Sequence, residues 1–416
     1  MLCRTLLAND SAGRDYNHGK FVPSNRRYIM SSTFRSTRSL VTFVVAAVGW
    51  GTIAAIPAAQ QGQVVTTPSG QQLRVEPVAT NLDTIWDMVW APDGEMWVTE
   101  RGGRVSRIDV SSGRVTPVGE IDVLERGESG LMGMAFHPDF PAEPWIYLVH
   151  SFGSDDDIRN RLVRVRYENG RIGSPETLID EIRGRGNHDG SRLAIGPDRL
   201  LYMTMGDAGR RPLSQDTSSL NGKILRLTLD GKPAPGNPFD NEVWSWGHRN
   251  PQGLVFHPDT GALYSAEHGP RTDDEVNLIE RGRNYGWPTV NGRCDTPEER
   301  EFCRAYNVVE SVAEWTPTVG MSGADIYVHD LIPGWKGNIL VTSLRGRSLF
   351  RVTLGPDGRR ATSIERLFED RYGRLRDVLV GPAGFIYIAT SNHDGRARGV
   401  GPFAGDDKVL KIGPAS

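Results

Sequence analysis

Short apolar runs, each interrupted by a Pro-Asp or Pro-x-Gly turn, recur along the chain from residue 80 onward. The clearest copies are MVWAPDGEMWVTE from residue 88, GMAFHPDFPAEPWIYLVH from residue 133, LAIGPDRLLYMTMGD from residue 193 and LVFHPDTGALYSAEHG from residue 254. Weaker copies are GWKGNILVTSLRGRSLFRVTL from residue 334 and VLVGPAGFIYIAT from residue 378. Because proline presets φ and Asp or Gly completes the turn, each copy predicts a β-hairpin.

The number and spacing of these hairpins indicate the fold class. Six copies at irregular intervals of roughly 45 to 75 residues are typical of radially repeated blades with insertions between them. A β-sandwich with similar hairpins is the alternative, and this many copies make it the poorer explanation. We therefore predict an all-β, six-bladed β-propeller with four-stranded antiparallel blades. Its loops at one mouth of the central channel are where a site is expected.

The N-terminal part of the chain has the order of a secretory signal. Residues 40–56 are apolar and uncharged, and they follow the basic residues Arg35 and Arg38. Small residues come next, which predicts cleavage near Ala58 or Ala59. The apolar run also reaches the lower length limit of a membrane span, so an uncleaved anchor is the alternative.

These features divide the chain into two parts. We predict that residues 1–59 form an N-terminal extension with a signal peptide, and that residues 60–416 form a single propeller domain. Translation could begin at Met1 or at Met30, because the residues between them are polar and unusual ahead of a signal. The mature protein is expected in the periplasm or outside the cell.

Composition excludes several other classes of protein. The net charge is −3 and no long basic block occurs, so nucleic acid is not an expected partner. The mature part contains only Cys294 and Cys303, with no CxxC or CxxCH motif, which excludes a zinc ribbon and a covalently attached c-type haem. An exported chain would allow these two cysteines to pair. No GxGxxG motif follows the signal region, which disfavours a nicotinamide enzyme.

Four longer strings, in this order, carry a resemblance to a known family. They are GNHDGSRLAIGPDRLLYMTMGDAG, LNGKILRLTLDG, GHRNPQGLVFHP and EHGPRTDDEVNLIERGRNYGWP, which begin at residues 186, 220, 247 and 267. With these strings the chain closely resembles the soluble quinoprotein aldose dehydrogenases of the glucose/sorbosone type. The resemblance extends from about residue 75 to residue 413, nearly the whole predicted propeller.

The resemblance implies a reaction, cofactors and partners. Members of this family are six-bladed propellers that use pyrroloquinoline quinone (PQQ) and Ca²⁺ to oxidise aldose sugars at C1 to lactones. The expected partners are therefore an aldose sugar and an electron acceptor, a quinone or a cytochrome, with the protein a monomer or a homodimer. A stable insertion into the membrane is not expected once the signal has been removed.

The resemblance also assigns the reacting residues. His188 matches the general base, because a neutral imidazole can accept the hydroxyl proton of the sugar near neutral pH. Arg249 matches the cation that stabilises the oxygen of the quinone as charge develops there. Asn250 matches a hydrogen-bonding partner of the same cofactor edge. Taken alone, His188 could equally be a spacer in a loop and Arg249 a partner of a surface acid.

Cationic side chains are expected around the three carboxylates of PQQ. Arg374 and Arg376 alternate along a predicted strand, so both should point to one face, and their forked groups suit carboxylates. The remaining residues matched to cofactor contacts are Arg345, Trp315, Thr318 and Glu128. Trp315 could instead be an ordinary core tryptophan. Glu128 departs from the glutamine of the glucose-oxidising branch, so a broad aldose specificity is expected rather than a glucose preference.

Two calcium sites follow from the resemblance. The backbone carbonyls of Gly269 and Pro270 match the ligands of the calcium ion that binds the cofactor. Glu275 and the carbonyl of Tyr285 match a second, structural calcium site. The acidic run 273–275 could also be read as a carboxylate cage for a hard cation or as a solvated loop.

Two other functions compete with the dehydrogenase. A calcium-dependent propeller hydrolase of the lactonase kind would need carboxylates and asparagines around one central metal, whereas arginines gather in this sequence. A non-catalytic propeller that binds proteins or glycans would not need His188, Arg249 and Asn250 together.

Overall fold

The structure is a computed structural model that describes residues 62–397, 399, 401 and 403–415. The predicted signal peptide lies outside the described residues. Nearly all regular structure is β-strand, with one α-helix and one short 3-10 helix in the described part. No helix of the described residues has the length and apolar character needed to cross a bilayer.

The strands are numbered in chain order. The first half contains β1 (Gln63–Thr66), β2 (Gln72–Ala79), β3 (Ile85–Trp90), β4 (Met96–Glu100), β5 (Arg104–Asp109), β6 (Arg114–Glu120), β7 (Leu131–Phe136), β8 (Trp145–Ser154), β9 (Asp157–Glu168), β10 (Arg171–Ile172), β11 (Glu176–Arg183), β12 (Gly190–Ile195) and β13 (Leu201–Met205). The second half contains β14 (Lys223–Leu227), β15 (Val243–Trp246), β16 (Pro251–Phe256), β17 (Leu263–Glu267), β18 (Asp274–Ile279), β19 (Ala313–Trp315), β20 (Met321–Tyr327), β21 (Asn338–Ser343), β22 (Ser348–Leu354), β23 (Ala361–Leu367), β24 (Leu375–Val380), β25 (Ile386–Thr390) and β26 (Val409–Pro414).

These strands form six antiparallel sheets, the blades. Blade 1 is β3 to β6, blade 2 is β7 to β11, blade 3 is β12 to β15, blade 4 is β16 to β19 and blade 5 is β20 to β23. Blade 6 combines β24, β25 and β26 with β1 and β2. The first strands of the blades, β3, β7, β12, β16, β20 and β24, contact one another in a closed circle. The predicted six-bladed propeller is confirmed, although blades 2 and 6 carry extra strands.

Blade 6 closes the ring by joining the two ends of the described chain. Strand β2 pairs with β26, with Val75 opposite Ile412. The alternating pattern of β2 buries Leu73 and Val75 on one face. They pack with Ile412 and with residues of blades 5 and 6 in one apolar cluster. The last blade therefore needs strands that lie more than 300 residues apart.

Buried carboxylates on the first strands connect neighbouring blades. Asp87 of β3 accepts a hydrogen bond from the Met134 amide of β7 at 2.8 Å. Asp377 of β24 accepts one from the Met88 amide of β3 at 2.7 Å. Each carboxylate thus satisfies a backbone donor of the next blade, which fixes the packing of one sheet against its neighbour.

One arginine reaches across several blades. Arg192 of β12 forms ion pairs with Asp87 of blade 1 and with Asp377 of blade 6, and all three are buried. Its Nε donates to the Gln252 carbonyl of blade 4 at 2.9 Å, and the guanidinium lies 4.6 Å from the Trp86 ring centre. Four of the six blades therefore meet at a single guanidinium.

Blade 4 carries the helical insertion between β18 and β19. Helix α1 (Pro297–Tyr306) begins at a capping box, in which Thr296 and Glu299 each accept a backbone N–H of the other. Cys294 and Cys303 form a disulfide bond, with their Cα atoms 6.5 Å apart. The pairing that export would permit is therefore present.

Candidate functional site

The predicted site residues lie where strands begin or end. His188, Arg249 and Arg374 come just before the first strands of blades 3, 4 and 6, and Asp207 and His268 come just after second strands. In an antiparallel hairpin the start of one strand and the end of the next lie at the same end. The folding of each hairpin therefore brings these residues to one mouth of the propeller.

His188 is held in a defined orientation by a buried carboxylate. Its Nδ1 lies 2.7 Å from Oδ1 of Asp207, and the Nε1–H of Trp287 donates to Oδ2 of the same carboxylate at 2.9 Å. The amide of Gly209 also donates to Oδ1 at 2.7 Å. Because an ionised carboxylate only accepts hydrogen bonds, Nδ1 carries the proton and Nε2 is left as an acceptor.

Asp207 remains ionised at neutral pH. Burial raises its pKa, but the hydrogen bond and charge of His188 and the bond from Trp287 outweigh burial and hold the pKa below its usual value. The pair of His188 and Asp207 can therefore accept a proton at Nε2 and stabilise the resulting charge.

Glu128 connects the site residues of four blades. Its Oε2 accepts the backbone N–H of His188 at 2.9 Å and the side-chain amides of Asn250 and Gln252, each at 3.2 Å. Its Oε1 accepts from the Arg396 guanidinium at 2.7 Å. Burial raises the pKa of Glu128, but the charge of Arg396 is the chief cause that lowers it, and the net result is a pKa of about 2.

A second carboxylate lies among four arginines. Oδ2 of Asp394 is 3.2 Å from Arg374, 3.9 Å from Arg376, 3.4 Å from Arg101 and 3.0 Å from Arg396. Arg374 and Arg376, which alternate along the sequence, thus lie on the same side of their strand and both contact the carboxylate of Asp394. Positive charge remains in excess, since four guanidiniums surround this carboxylate.

Several buried side-chain nitrogen atoms have no hydrogen-bond partner among the described residues. They are the Nε atoms of Arg249, Arg374 and Arg376, Nη2 of Arg376 and Nε2 of His268. Burial lowers the pKa of Arg376 to about 9 and that of His268 to about 3. Buried donors of this kind are normally satisfied, so the donor set fits a ligand rich in anionic oxygens.

Arg249 lies next to the His188 pair. Its guanidinium is 5.3 Å from the ring centre of Trp287, and Nη1 donates to the His268 carbonyl at 3.0 Å. Asn250, by contrast, is fully buried and its amide group is occupied, because Oδ1 accepts the Gly190 N–H at 3.1 Å and Nδ2 donates to Glu128. Arg249 therefore has a donor that a ligand could use. The amide of Asn250 is already bonded to Gly190 and Glu128 and connects these two residues beneath the site.

The loop that carries Gly269 and Pro270 is fixed by Asp274. This carboxylate accepts the backbone N–H groups of Gly269 at 2.8 Å, Val319 at 2.6 Å and Gly320 at 2.5 Å. The neighbouring acidic side chains point elsewhere, Asp273 to Thr316 and Glu275 to Asn277 and Gly292. The acidic run therefore does not converge into a carboxylate cage.

Glu275 and Tyr285 lie in a separate buried region of blade 4. Glu275 faces Glu267 across β17 and β18, and burial together with the charge of Glu267 raises the pKa of Glu275 to about 8. The ring of Tyr285 stacks on His248 at 4.6 Å, and His248 in turn contacts Glu267 at 2.9 Å. Glu267 is buried and Glu275 is half-buried, and two carboxylates that face each other in this way repel, which is the repulsion that a bound cation would relieve.

Comparison with known proteins identifies the family. Residues 82–398 match the family model described as glucose / sorbosone dehydrogenase. The chain belongs to the glucose/sorbosone dehydrogenase family.

Three of the proteins that this chain resembles are named as sugar dehydrogenases. The aldose sugar dehydrogenase YliI of Escherichia coli is 31% identical over 352 residues, which cover 79% of this chain and 93% of that protein. The quinoprotein glucose dehydrogenase B of Acinetobacter calcoaceticus is 30% identical over 409 residues, which cover 75% of this chain and 84% of that protein. The PQQ-bound aldose sugar dehydrogenase of Streptomyces coelicolor has a TM-score of 0.72 at 36% identity, covering 83% of this chain and 99% of that one.

Three residues that the family resemblance assigned to the cofactor make their contacts with residues other than the His188–Asp207 pair. Arg345 is exposed and its Nη1 donates to Oγ1 of Thr318 at 3.3 Å. Trp315 is half-buried and packs on Phe350, with ring centres 5.3 Å apart, at the edge of an apolar cluster. The tryptophan in contact with the His188–Asp207 pair is Trp287.

Sequence reasoning missed several residues of the candidate site. They are Arg101, Asp207, Gln252, His268, Trp287, Asp394 and Arg396. Four of them, Asp207, Gln252, His268 and Trp287, stand inside the strings that carried the resemblance. Asp207, His268 and Arg101 could have been found, because each is a polar residue just after an apolar strand. Gln252, Trp287, Asp394 and Arg396 gave no comparable signal.

Proposed function

We propose that this protein oxidises aldose sugars at C1 to the corresponding lactones, with PQQ as its cofactor. The observation that carries the proposal is the His188–Asp207 pair, placed beside buried guanidiniums that have unsatisfied donors. The named activities of its relatives supply the reaction class. A lactonase is disfavoured because the carboxylates of the acidic run do not converge on one point.

The donor set fits the proposed cofactor. PQQ carries three carboxylates and quinone oxygens, and when bound it accepts the hydride of the sugar. Arg374, Arg376 and Arg249 have buried donor atoms free for such oxygens. Arg345 and Thr318 would extend the same polar wall. Trp315 stays an expected cofactor contact, although its packing on Phe350 also suits a core position.

His188 is proposed to act as the general base. Its Nδ1–H is held by Asp207, so Nε2 is the atom that can take the hydroxyl proton of the sugar. Asp207 then stabilises the imidazolium without accepting the proton itself. The adjacent guanidinium of Arg249 would stabilise negative charge that develops on an oxygen near it.

Calcium is proposed at the two positions that the sequence suggested. The carbonyls of Gly269 and Pro270 belong to a loop that Asp274 fixes, and a hard cation prefers such oxygen ligands. Glu275 with the carbonyl of Tyr285 would form the second site, where the facing Glu267 adds negative charge. The sugar is taken to be any of several aldoses, and the electron acceptor to be a quinone or a cytochrome.

Reconstitution tests the reaction. Protein stripped with a chelator and dialysed should have no dehydrogenase activity, and PQQ with Ca²⁺ should restore dye reduction with a panel of aldoses. Lactone formed from C1-deuterated sugar should lack the label. Activity that survives exhaustive chelation, or restored activity on none of the aldoses, would contradict the proposal.

Two variants separate binding from chemistry in the same assay. His188→Ala should bind PQQ normally but lose about 10²–10⁴-fold in kcat, the usual contribution of a positioned base. Arg249→Ala should lose both PQQ affinity and kcat. Arg345→Ala serves as the matched control, because its exposed guanidinium should affect PQQ affinity alone. A near-normal kcat for His188→Ala would place the base elsewhere.

We also infer that the protein is exported and that residues 1–59 are removed. The Cys294–Cys303 disulfide supports this, because disulfides persist in oxidising compartments. N-terminal sequencing of the mature protein from a periplasmic or culture fraction should begin near residue 60. A chain found at full length in the cytoplasm with both thiols free would contradict export.

A further inference from the structure

Three metal-ligating side chains meet at the junction of blades 1 and 6. Asp83 precedes β3, His393 follows β25 and Asp407 precedes β26. One ligand atom from each lies within 4.8 Å of the other two. The residues come from three separate loops, at the same ends of the strands as His188.

The spacing of these atoms suits an ion better than direct hydrogen bonds. Nδ1 of His393 is 3.7 Å from Oδ1 of Asp83 and 4.0 Å from Oδ2 of Asp407. Both distances exceed hydrogen-bonding range. Two ligands of a tetrahedral ion, each about 2.0–2.1 Å from the metal, lie about 3.3 Å apart. The His393 nitrogen must therefore approach Asp83 by about 0.4 Å and Asp407 by about 0.7 Å, and the two carboxylates, which lie within 4.8 Å of each other, must close on the same ion.

The region also holds excess negative charge. Behind the three side chains lies Glu100, which is 2% exposed. One of its oxygens accepts the Asp83 N–H at 2.6 Å, and the other, with no hydrogen bond in the described part of the chain, faces only Arg104 at 3.4 Å. Lys408 is occupied by Asp406 at 3.2 Å. If the imidazole is neutral, the four carboxylates of Asp83, Asp407, Glu100 and Asp406 face only the two cations of Arg104 and Lys408. A divalent ion would neutralise this excess of two negative charges.

We propose that Asp83, His393 and Asp407 bind a divalent transition-metal ion of the zinc class, at a site separate from both calcium positions. The imidazole nitrogen favours Zn²⁺ over Ca²⁺, which takes oxygen ligands. Asp407 already accepts four hydrogen bonds, and the longest, from the His393 amide at 3.3 Å, yields its place to the metal. Water completes the coordination at the exposed side.

Binding of this ion has a structural consequence for the site. The loop after β25 that carries His393 also carries Asp394 and Arg396, which contact the arginine cluster and Glu128. An ion shared with Asp83 fixes this loop to blade 1. The site is therefore structural, and its occupancy should slow the dissociation of whatever the arginine cluster holds.

The experiment measures metal binding directly. Full-length protein is stripped of metal, supplied with millimolar Ca²⁺ to fill oxygen-only sites, and titrated with Zn²⁺ against a chromogenic chelator. The wild type should bind one Zn²⁺ equivalent that His393→Ala lacks, and Asp83→Asn should bind it at least about tenfold more weakly. Co²⁺ should give a ligand-field spectrum in the wild type that His393→Ala does not show.

A matched control is present in the chain. His137 lies 4.0 Å from Asp139 in another His–Asp pair, whose histidine side chain is 13% exposed, but that pair has no third ligand atom within range in the described residues. His137→Ala should bind Zn²⁺ as the wild type does. Equal melting temperatures of the metal-free variants confirm folding, which is expected because the His393 side chain is 49% exposed. Unchanged Zn²⁺ stoichiometry in His393→Ala, or no Zn²⁺ binding to the wild type, would overturn the proposal.

Discussion

At the scale of single residues, Glu128 accounts for the unusual backbone of the proposed base. His188 has φ of +63°, a left-handed conformation that few non-glycine residues adopt. The carboxylate of Glu128 accepts the His188 N–H and stays ionised because Arg396 lies beside it. A neutral amide at this position would accept the same N–H more weakly. Glu128 is thus a positioning residue, because its carboxylate holds the backbone of His188 in place.

The charge of Glu128 should make stability depend on acid pH in a specific way. Its pKa is about 2 in the folded protein and 4.5 ordinarily, so its contribution is fully present above about pH 5 and is lost as pH falls towards 2. Urea unfolding should find the wild type more stable than Glu128→Gln by about 3 kcal/mol at pH 7. This difference should shrink steadily below pH 4.5; a difference that stays constant or grows on acidification would contradict the assignment.

At the scale of strands and loops, the site depends on carboxylates that fix loop ends. Asp274 accepts three backbone N–H groups and so holds the Gly269–Pro270 loop against the loop before β20. Asp207 does the same for the turn after β13 through Gly209 while it orients His188. In both cases a polar site residue stands at the end of a hairpin, and a buried aspartate fixes the orientation of that residue or its loop.

At the scale of the whole molecule, Arg192 joins four blades in the centre of the ring. Burial raises the pKa of both Asp87 and Asp377, and the charge of Arg192 opposes this increase. The three groups therefore depend on one another, since removal of the guanidinium leaves two buried carboxylates close together. Loss of the Arg192 guanidinium should therefore destabilise the four blades that it joins together.

Arg192→Met should accordingly reduce the free energy of unfolding by about 3–5 kcal/mol, because it leaves buried charges without a partner. Chemical denaturation followed by tryptophan fluorescence measures this. Arg199→Met is the control, since Arg199 and Asp139 are more than half exposed and the change should cost less than about 1 kcal/mol. Similar losses in the two variants would show that the central contacts contribute no more than a surface pair.

The sequence by itself determined the elements of this protein. The hairpins, their number and the all-β class follow from apolar runs and Pro-Asp turns, because a hairpin is a local structure of adjacent residues. His188, Arg249 and the Gly269–Pro270 turn were named through the family resemblance of the long strings that contain them, and their roles stay predictions.

Only the tertiary structure decided which of these residues meet. Arg396 and Glu128 lie 268 residues apart in the chain, and Arg192 is 185 residues from Asp377. Such pairs form because the ring closes through β2 and β26 and its first strands contact one another in a circle, which no local pattern encodes. The charge of a buried group likewise depends on neighbours that the fold supplies. The hairpins could therefore be predicted from the sequence. The contacts and the ionisation of the site residues could not, because they depend on residues that only the closed ring brings together.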